Sequence, residues 1–208
     1  YQFWRTRNGY AMYGMGGQLA VFLPERRIIL CTIADTRLDP FGVQRIYDAF
    51  YEEIAQTENT ESDARAEAEL AQALSALAVA AVPDVPAYAA AFAPVYRMEP
   101  NDMGLRSVRF GEGGDVSLTW DDGETHRFAW GVGRVKSGVF QGEPCLVSGG
   151  FYAPGALRVR CHLTGDAPCG MEMLLAQGRG QTLTVRLRHS PDPLTNRYEG
   201  FAGGEAVN

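Results

Sequence analysis

The sequence predicts an α+β protein: a three-stranded antiparallel meander plus helices, followed by an antiparallel up-and-down β domain that is a sandwich or a partly closed barrel. Three observations lead to this fold class. Two apolar runs flank a polar corner near residue 25, an alanine-rich segment lies near residue 70, and apolar and polar residues alternate from residue 105 onward. Alternation with period two is typical of half-buried strands, whereas apolar residues three and four apart indicate a helix.

The first 36 residues predict the meander. The runs 14–22 and 28–33 flank the corner Pro24-Glu25-Arg26-Arg27, and this order of strand, polar turn and strand indicates a hairpin. Gly14, Gly16 and Gly17 leave almost no side chain where the first of these strands is expected to begin, which suits the close approach of a ligand or another backbone. The aromatic residues of segment 1–5 predict a further strand that is covered on both faces.

A helix is predicted over residues 40–54. Asp39 can cap it, and Pro40 can take the first helical position, where its missing N–H costs nothing. Apolar residues at helical spacing form one face of this helix, namely Val43, Ile46, Tyr47, Phe50, Tyr51 and Ile54. Because three strands and one helix are too few to bury that face, we expect its partners in the later part of the chain or in another chain.

Residues 57–97 are predicted to be a helical linker. The segment Thr60-Glu61-Ser62-Asp63 has the character of a capping box, and an alanine-rich helix should follow with three leucines on one face, Leu70, Leu74 and Leu77. This narrow stripe suits packing against a sheet or helix. A helix at a membrane surface is the alternative, but it would need more basic residues than Arg65. Tyr88 and Phe92 are expected to fix the proline-containing connector that follows to the core.

Residues 98–208 are predicted to be the β domain. Asp121-Asp122-Gly123 signals a hairpin turn. On each side of it, apolar residues occupy every second position, as in the sets Val116, Leu118, Trp120; Leu157, Val159, Cys161, Leu163; Met171, Met173, Leu175; and Leu183, Val185, Leu187. Strands at this spacing, joined by glycine-rich turns, predict an antiparallel up-and-down sheet.

The first quarter of the chain contains three motifs in a characteristic order. Tyr1-Gln2-Phe3-Trp4 is an aromatic strand, Gly14-x-Gly16-Gly17 opens an apolar strand that ends in Phe22-Leu23-Pro24-Glu25, and Asp39-Pro40-Phe41-Gly42 begins a helix. In this order they resemble the C-terminal part of serine β-lactamases and penicillin-binding proteins, closest to the class C and esterase-like branch. The resemblance implies that residues 1–56 are the end of a hydrolase domain, to which the β domain is an accessory.

The chain departs from that family where its chemistry lies. The family's Lys-Thr-Gly would fall near Gly9-Tyr10-Ala11, Lys136 is the only lysine, and no Ser-x-x-Lys or Tyr-x-Asn occurs. The resemblance therefore implies that this chain has no catalytic residue, and that the nucleophile and the N-terminal hydrolase domain precede it. Seven residues are candidates for the substrate-binding strand: Tyr10, Met12, Tyr13, Gly14, Gly16, Gly17 and Gln18.

Two functions remain open. In the first, the chain completes a serine hydrolase that transfers the acyl group of an ester, amide or lactam to serine and then to water, with a backbone N–H near Met12 contributing to the oxyanion hole. In the second, the active site has degenerated and the chain is a non-catalytic ligand-binding or interaction module. The glycine-rich strand favours the hydrolase, and the absent Lys-Thr-Gly favours the module.

Basic residues on two strands of the β domain suggest a further site. Arg158, Arg160 and His162 alternate with apolar residues, as do Arg186 and Arg188, so neighbouring strands can merge them into a basic ridge. If the ridge lines the mouth of a barrel, it would attract a carboxylate or phosphate. Otherwise it is a solvated outer face.

Composition limits the remaining classes of function. The net charge of −6 argues against nucleic acid as a partner, and no apolar run is long enough to span a membrane. The spacing of Cys31, Cys145, Cys161 and Cys169 predicts buried free thiols rather than a metal site, and unpaired cysteines favour the cytoplasm. The histidines His126, His162 and His189 have no acid or nucleophile at motif spacing, and Gly131-x-Gly133 lacks the rest of a dinucleotide loop, so no metal or cofactor is expected. A homodimer is possible.

Overall fold

The computed structural model describes residues 3–57, 63–165, 169–190 and 196–207. The chain divides into two compact units, Tyr1–Ala78 and Val79–Asn208. Strands account for 49% of the residues, in a four-stranded antiparallel meander and a second, nearly closed sheet. The predicted fold class, an antiparallel meander with helices followed by an antiparallel β domain, is therefore confirmed.

The first unit is built on strands β1 (Phe3–Thr6), β2 (Gly9–Gly14), β3 (Gln18–Leu23) and β4 (Ile28–Thr32), which pair in sequence order. The hairpin at the polar corner is present, since a short 3-10 turn over Pro24–Arg26 joins β3 to β4. Gly16 and Gly17 were predicted at the start of a strand, but they lie in the turn that joins β2 to β3. Gly16 and Gly17 have φ angles of 76° and 94°, so the chain reverses there and β2 becomes an additional strand of the meander.

Helix α1 (Gly42–Ala49) continues as one π-helical turn over Phe50–Ile54 and packs on one face of this sheet. The helix begins two residues later than predicted. The Asp39 carboxylate accepts a hydrogen bond of 3.0 Å from the Phe41 N–H, so Asp39 shapes the turn before the helix and is not its N-cap.

The core of the first unit lies between α1 and the sheet. Phe50 is 2% exposed and packs with four sheet residues, Ala11, Leu19, Val21 and Leu23, while Ile46 packs against the same cluster. The expectation that this helix face needs partners from outside the meander is thus wrong for Phe50, because the unit's own sheet covers it. Ile54, at the end of the face, stays 50% exposed.

Helix α2 (Ala64–Ser75) begins as predicted, because the Asp63 side chain accepts a hydrogen bond of 2.9 Å from the Arg65 N–H. The other residues of the predicted capping box lie outside the described residues. The helix buries none of its residues, and its predicted packing stripe is exposed, at 59% for Leu70, 57% for Leu74 and 75% for Leu77. Neither α-helix in the described part of the chain has the length and hydrophobicity that crossing a bilayer requires.

The second unit is one antiparallel sheet whose strands follow the chain: β5 (Val95–Met98), β6 (Leu105–Gly111), β7 (Asp115–Trp120), β8 (Thr125–Ala129), β10 (Lys136–Phe140), β11 (Glu143–Ala153), β12 (Ala156–Leu163), β13 (Cys169–Gln177), β14 (Thr182–His189) and β15 (Gly200–Ala206). The last strand of the unit, β15, pairs with its first strand, β5, which leaves β10 and β8 at the two edges of the sheet. A short strand, β9 (Gly131–Val132), pairs in parallel with β11. The sheet is therefore a nearly closed barrel rather than a sandwich.

The interior of this sheet is a packed core. On β7, β12, β13 and β14 every second residue points inward and is buried, which includes the predicted sets Val116, Leu118, Trp120; Leu157, Val159, Cys161, Leu163; Met171, Met173, Leu175; and Leu183, Val185, Leu187. Three of the four cysteines are buried free thiols as predicted, whereas Cys31 is exposed on β4.

The connector before β5 lies against β11. Asp84 accepts a hydrogen bond of 2.8 Å from the Phe151 N–H, and the Val85 N–H donates one of 3.0 Å to the Phe151 carbonyl. The Phe92 ring stacks on the Phe110 ring with centroids 4.2 Å apart. The prediction that Phe92 fixes the connector to the core is confirmed.

Candidate functional site

The glycine-rich turn between β2 and β3 is in contact with residues 32–36 of the same chain. The Thr36 N–H donates a hydrogen bond of 2.9 Å to the Gly16 carbonyl, and the Thr32 hydroxyl donates one of 2.7 Å to the Gly17 carbonyl. A Cβ atom on Gly17 would lie 3.1 Å from Cγ2 of Thr36. The close approach that the glycines allow is thus made by residues 32–36.

The seven candidates for the substrate-binding strand do not form one surface. Gly14 and Gln18 pair at the end of the β2–β3 hairpin, and Gly16 and Gly17 form its turn. Tyr13 lies on the α1 side of the sheet, in the same row as Leu19, and is 48% exposed.

Tyr10 and Met12 lie on the opposite side of the sheet. Met12 is opposite Phe3 on one side and Ala20 on the other, so in this stretch the backbone amides of β2 face neighbouring strands.

Tyr10 and Met12 belong to an exposed apolar surface, which we call the bare face. Cross-strand pairing places its members in two rows, Phe3, Met12, Ala20 and Cys31 in one and Arg5, Tyr10, Phe22 and Ile29 in the other, so one arginine lies at the edge of this otherwise apolar face. Phe3 is 60% and Ile29 62% exposed. The Tyr10 ring stacks on Phe22 at 4.7 Å between centroids. The meander thus has a helix on one face and a bare apolar surface on the other.

The predicted basic ridge lies on the outer face of the second unit. Arg160 on β12 and Arg188 on β14 both lie opposite Glu172 of the intervening strand β13. One position along, Arg158 and Arg186 lie opposite Leu174 in the same way. We call the four arginines the arginine cluster. His162 continues the row on β12, opposite Gly170.

Glu172 anchors the arginine cluster. Its carboxylate accepts a hydrogen bond of 3.0 Å from Arg160 Nε, while Arg158 Nε is 3.6 Å from Oε2 and Arg188 Nη1 is 3.9 Å from Oε1. The Glu172 side chain is 8% exposed, and those of the three arginines are 30–41% exposed. Three arginines lie within 4 Å of one buried carboxylate and Arg186 lies in the next row, so the outer face is positive here although the chain as a whole is negative.

A polar cluster around the buried His126 was not predicted. His126, for which the sequence indicates no acid or nucleophile at motif spacing, is 9% exposed. Its Nε2 lies 2.6 Å from Glu124 Oε1, and its Nδ1 is hydrogen-bonded to the hydroxyl of Tyr198. Arg197 pairs with Glu124 and, at 2.5 Å, with Asp122. The cluster links the turn before β8 to residues 197–198.

His126 and Tyr198 form the enclosed end of this cluster, whereas Glu124 and Asp122 are about half exposed. Tyr198 is 2% exposed and its ring packs edge-on against Trp120 and Phe140, so a substrate has no access to the phenol. Burial raises the pKa of Tyr198, and hydrogen bonds from His126 and then Arg197 lower the pKa of Glu124. The Glu124-x-His126 spacing was a usable sign that both side chains share one face. Tyr198 is far along the chain, and nothing in the sequence connects it to them.

Within the described ranges, no group of three or more His, Cys, Asp or Glu side chains is placed to hold a metal ion. Burial raises the pKa of the Cys145 and Cys161 thiols, which keeps them protonated and unreactive.

Comparison of the chain with family models, curated proteins and solved structures finds no match in any of the three. The two surfaces that stand out are the bare face of the first unit and the arginine cluster of the second.

Proposed function

We propose that residues 1–56, in the first unit, are the C-terminal part of a β-lactamase-like serine hydrolase, which transfers the acyl group of an ester, amide or lactam to serine and then to water. Residues 98–208, in the second unit, are its accessory domain. The observation that carries this proposal is the bare face. A meander with α1 on one side and exposed Phe3 and Ile29 on the other is half of a layered structure, because sheet faces this apolar are normally covered.

The resemblance to the hydrolase family indicates what would cover the bare face. In this proposal a preceding domain, not included in the 208 residues, covers the bare face and carries the nucleophilic serine and its lysine base. The glycine turn would hold the strand geometry next to that active site. The roles of Tyr10, Met12 and Tyr13 toward a substrate depend on that domain and remain part of the proposal.

Labelling with a fluorophosphonate probe tests the hydrolase proposal. The 208-residue chain should show no labelled serine and no turnover of a chromogenic lactam or an aryl ester, because it has no Ser-x-x-Lys. A longer form that includes preceding coding sequence should be labelled at a serine of such a motif, and the matching Ser→Ala variant should not. Stoichiometric labelling of the 208-residue chain, or no label and no Ser-x-x-Lys in the longer form, contradicts the proposal.

A second candidate function is a non-catalytic binding module. Two observations favour it: the Lys-Thr-Gly position holds Gly9-Tyr10-Ala11, and Thr36 uses the close approach that Gly16 and Gly17 provide. An unlabelled longer form that still has the bare face covered would support this module.

A further inference from the structure

We propose that the arginine cluster is a binding site for a small organic phosphate that carries an aromatic group, seated above Leu174 between Arg158 and Arg186. The site is separate from the proposed hydrolase activity and would remain if that activity were absent. Leu174 lies directly opposite both arginines, and all three side chains point to the outer face because their neighbours Val159, Leu175 and Val185 point inward.

The charge distribution within the cluster favours this position. In the row of Glu172 a carboxylate already lies between the arginines, whereas Leu174 brings no charge to its row. Arg158 Nε is buried without a hydrogen bond, its distance to Glu172 being 3.6 Å. Among the described residues, Arg186 makes no ion pair; its guanidinium lies over the Phe201 ring, 5.2 Å from the centroid.

The backbones of β12 and β14 are about 10 Å apart because one strand lies between them, so the side chains of Arg158 and Arg186 can both reach an anion placed above Leu174. Because each guanidinium can donate two parallel hydrogen bonds, the pair matches a phosphate dianion with several terminal oxygens better than a single carboxylate. The half-buried Leu174 provides an apolar floor, so the only carboxylate near these donors is Glu172 of the next row, which lies 3.6 Å from Arg158 Nε.

Aromatic rings flank the site on both sides. Arg158 lies over the Tyr152 ring at 4.7 Å, and Phe201 is 63% exposed beside Arg186. An aromatic group attached to the phosphate would cover the exposed Phe201 ring and remove apolar surface from water. The net charge of −6 opposes long polyanions, which feel the whole protein, and favours a small ligand.

Titration calorimetry of the 208-residue chain at low ionic strength tests the proposal, with phenyl phosphate and inorganic phosphate as probes. We expect saturable binding of both, with phenyl phosphate tighter. The double variant Arg158→Gln/Arg186→Gln should bind phenyl phosphate at least about tenfold more weakly. Phe201→Ala should reduce phenyl phosphate to the affinity of inorganic phosphate. Arg109→Gln removes an exposed arginine on β6 and should change nothing.

Three outcomes overturn the proposal: no saturable binding of phenyl phosphate, equal weakening by Arg109→Gln, or undiminished binding by the double variant. Far-UV circular dichroism and urea unfolding of each variant separate lost binding from lost folding. Because Glu172 and Arg160 are left intact, the anchor of the cluster is retained in the double variant. A further test is co-sedimentation of the chain with phosphatidic acid vesicles. If the chain binds the vesicles but does not bind phenyl phosphate, the ligand is a membrane surface and the proposal is contradicted.

Discussion

Arg160 and Glu172 face each other across the β12–β13 ladder, and Arg160 Nε donates a hydrogen bond of 3.0 Å to Oε2 of Glu172. The carboxylate is buried, and Arg158 and Arg188 approach it within 4 Å as well. A buried charge is tolerated only when partners compensate for its lost water. Here one carboxylate orients three guanidinium groups on the same face.

Glu172→Gln should destabilise the second unit by about 1.5–3 kcal/mol, because the substitution removes the charge that holds the arginines together. The neutral amide oxygen accepts only a weaker hydrogen bond from an arginine. The amide NH2 group adds donors next to guanidinium groups that are themselves donors. Urea unfolding measures the change. Glu112→Gln alters an exposed turn and serves as the matched control. An equal or smaller loss for Glu172→Gln than for this control would show that Glu172 does not anchor the cluster.

The His126 cluster predicts a pH dependence of stability. The pKa of Glu124 lies below its ordinary value of 4.5 in the folded protein, chiefly through its hydrogen bond with His126 and then that with Arg197. A carboxyl group with a depressed folded pKa stabilises the fold above its unfolded pKa and loses that contribution as pH falls through the folded pKa.

Glu124→Gln should therefore lower the thermal unfolding midpoint at pH 7, and the difference from the wild type should shrink as the pH falls below about 4.5. Thermal unfolding by circular dichroism from pH 7 to pH 3 checks this. Glu112→Gln should show no such convergence. A difference between wild type and Glu124→Gln that stays constant down to pH 3 would mean that the ionised carboxylate contributes nothing.

The first unit predicts a contrast between two residues of the same helical face. Phe50→Asp places a charge in the core against Val21 and should cost about 4 kcal/mol or more, whereas Ile54→Asp, at a half-exposed position, should cost less than about 1 kcal/mol. Urea unfolding of both variants provides the measurement. Similar losses for the two would indicate that α1 is not packed on the sheet as described.

Local patterns in the sequence predicted most of the fold. Alternation identified the inward residues of β7, β12, β13 and β14, and helical spacing identified Phe50 as part of a buried face. The glycines were misplaced because a glycine-rich run fits a turn or a strand equally well until its φ angles are known; at Gly16 and Gly17 they are positive.

Contacts between distant segments were the part that the sequence could not provide. Alternation put Arg158 and Arg160 on one face, but only the strand register brings Glu172 between them and Arg188. Likewise His126 and Tyr198 meet although 72 residues separate them. Side-chain alternation fixes which face a residue takes, whereas the partner on the next strand depends on register, which is set by the whole sheet.

The bare face gives the last prediction. An exposed apolar sheet surface tends to bind a partner, so the 208-residue chain, without the proposed preceding domain, should associate with itself through this face. Sedimentation velocity over a range of concentrations should show a concentration-dependent dimer. Ile29→Lys, on strand β4 of the bare face, should raise the dissociation constant of the dimer at least about tenfold, since the charge would be desolvated in the contact.

Ile33→Lys is the matched control for this experiment. Ile33 lies just beyond β4 and is 96% exposed, so a lysine there makes the same change in composition and charge at a position outside the paired strands. It should leave the dimer unchanged. A wild-type chain that stays monomeric at every concentration, or equal effects of the two substitutions, would remove self-association as the use of this face. If the longer hydrolase exists, Ile29→Lys should also lower its thermal unfolding midpoint, because there the preceding domain would cover Ile29, and Ile33→Lys should not.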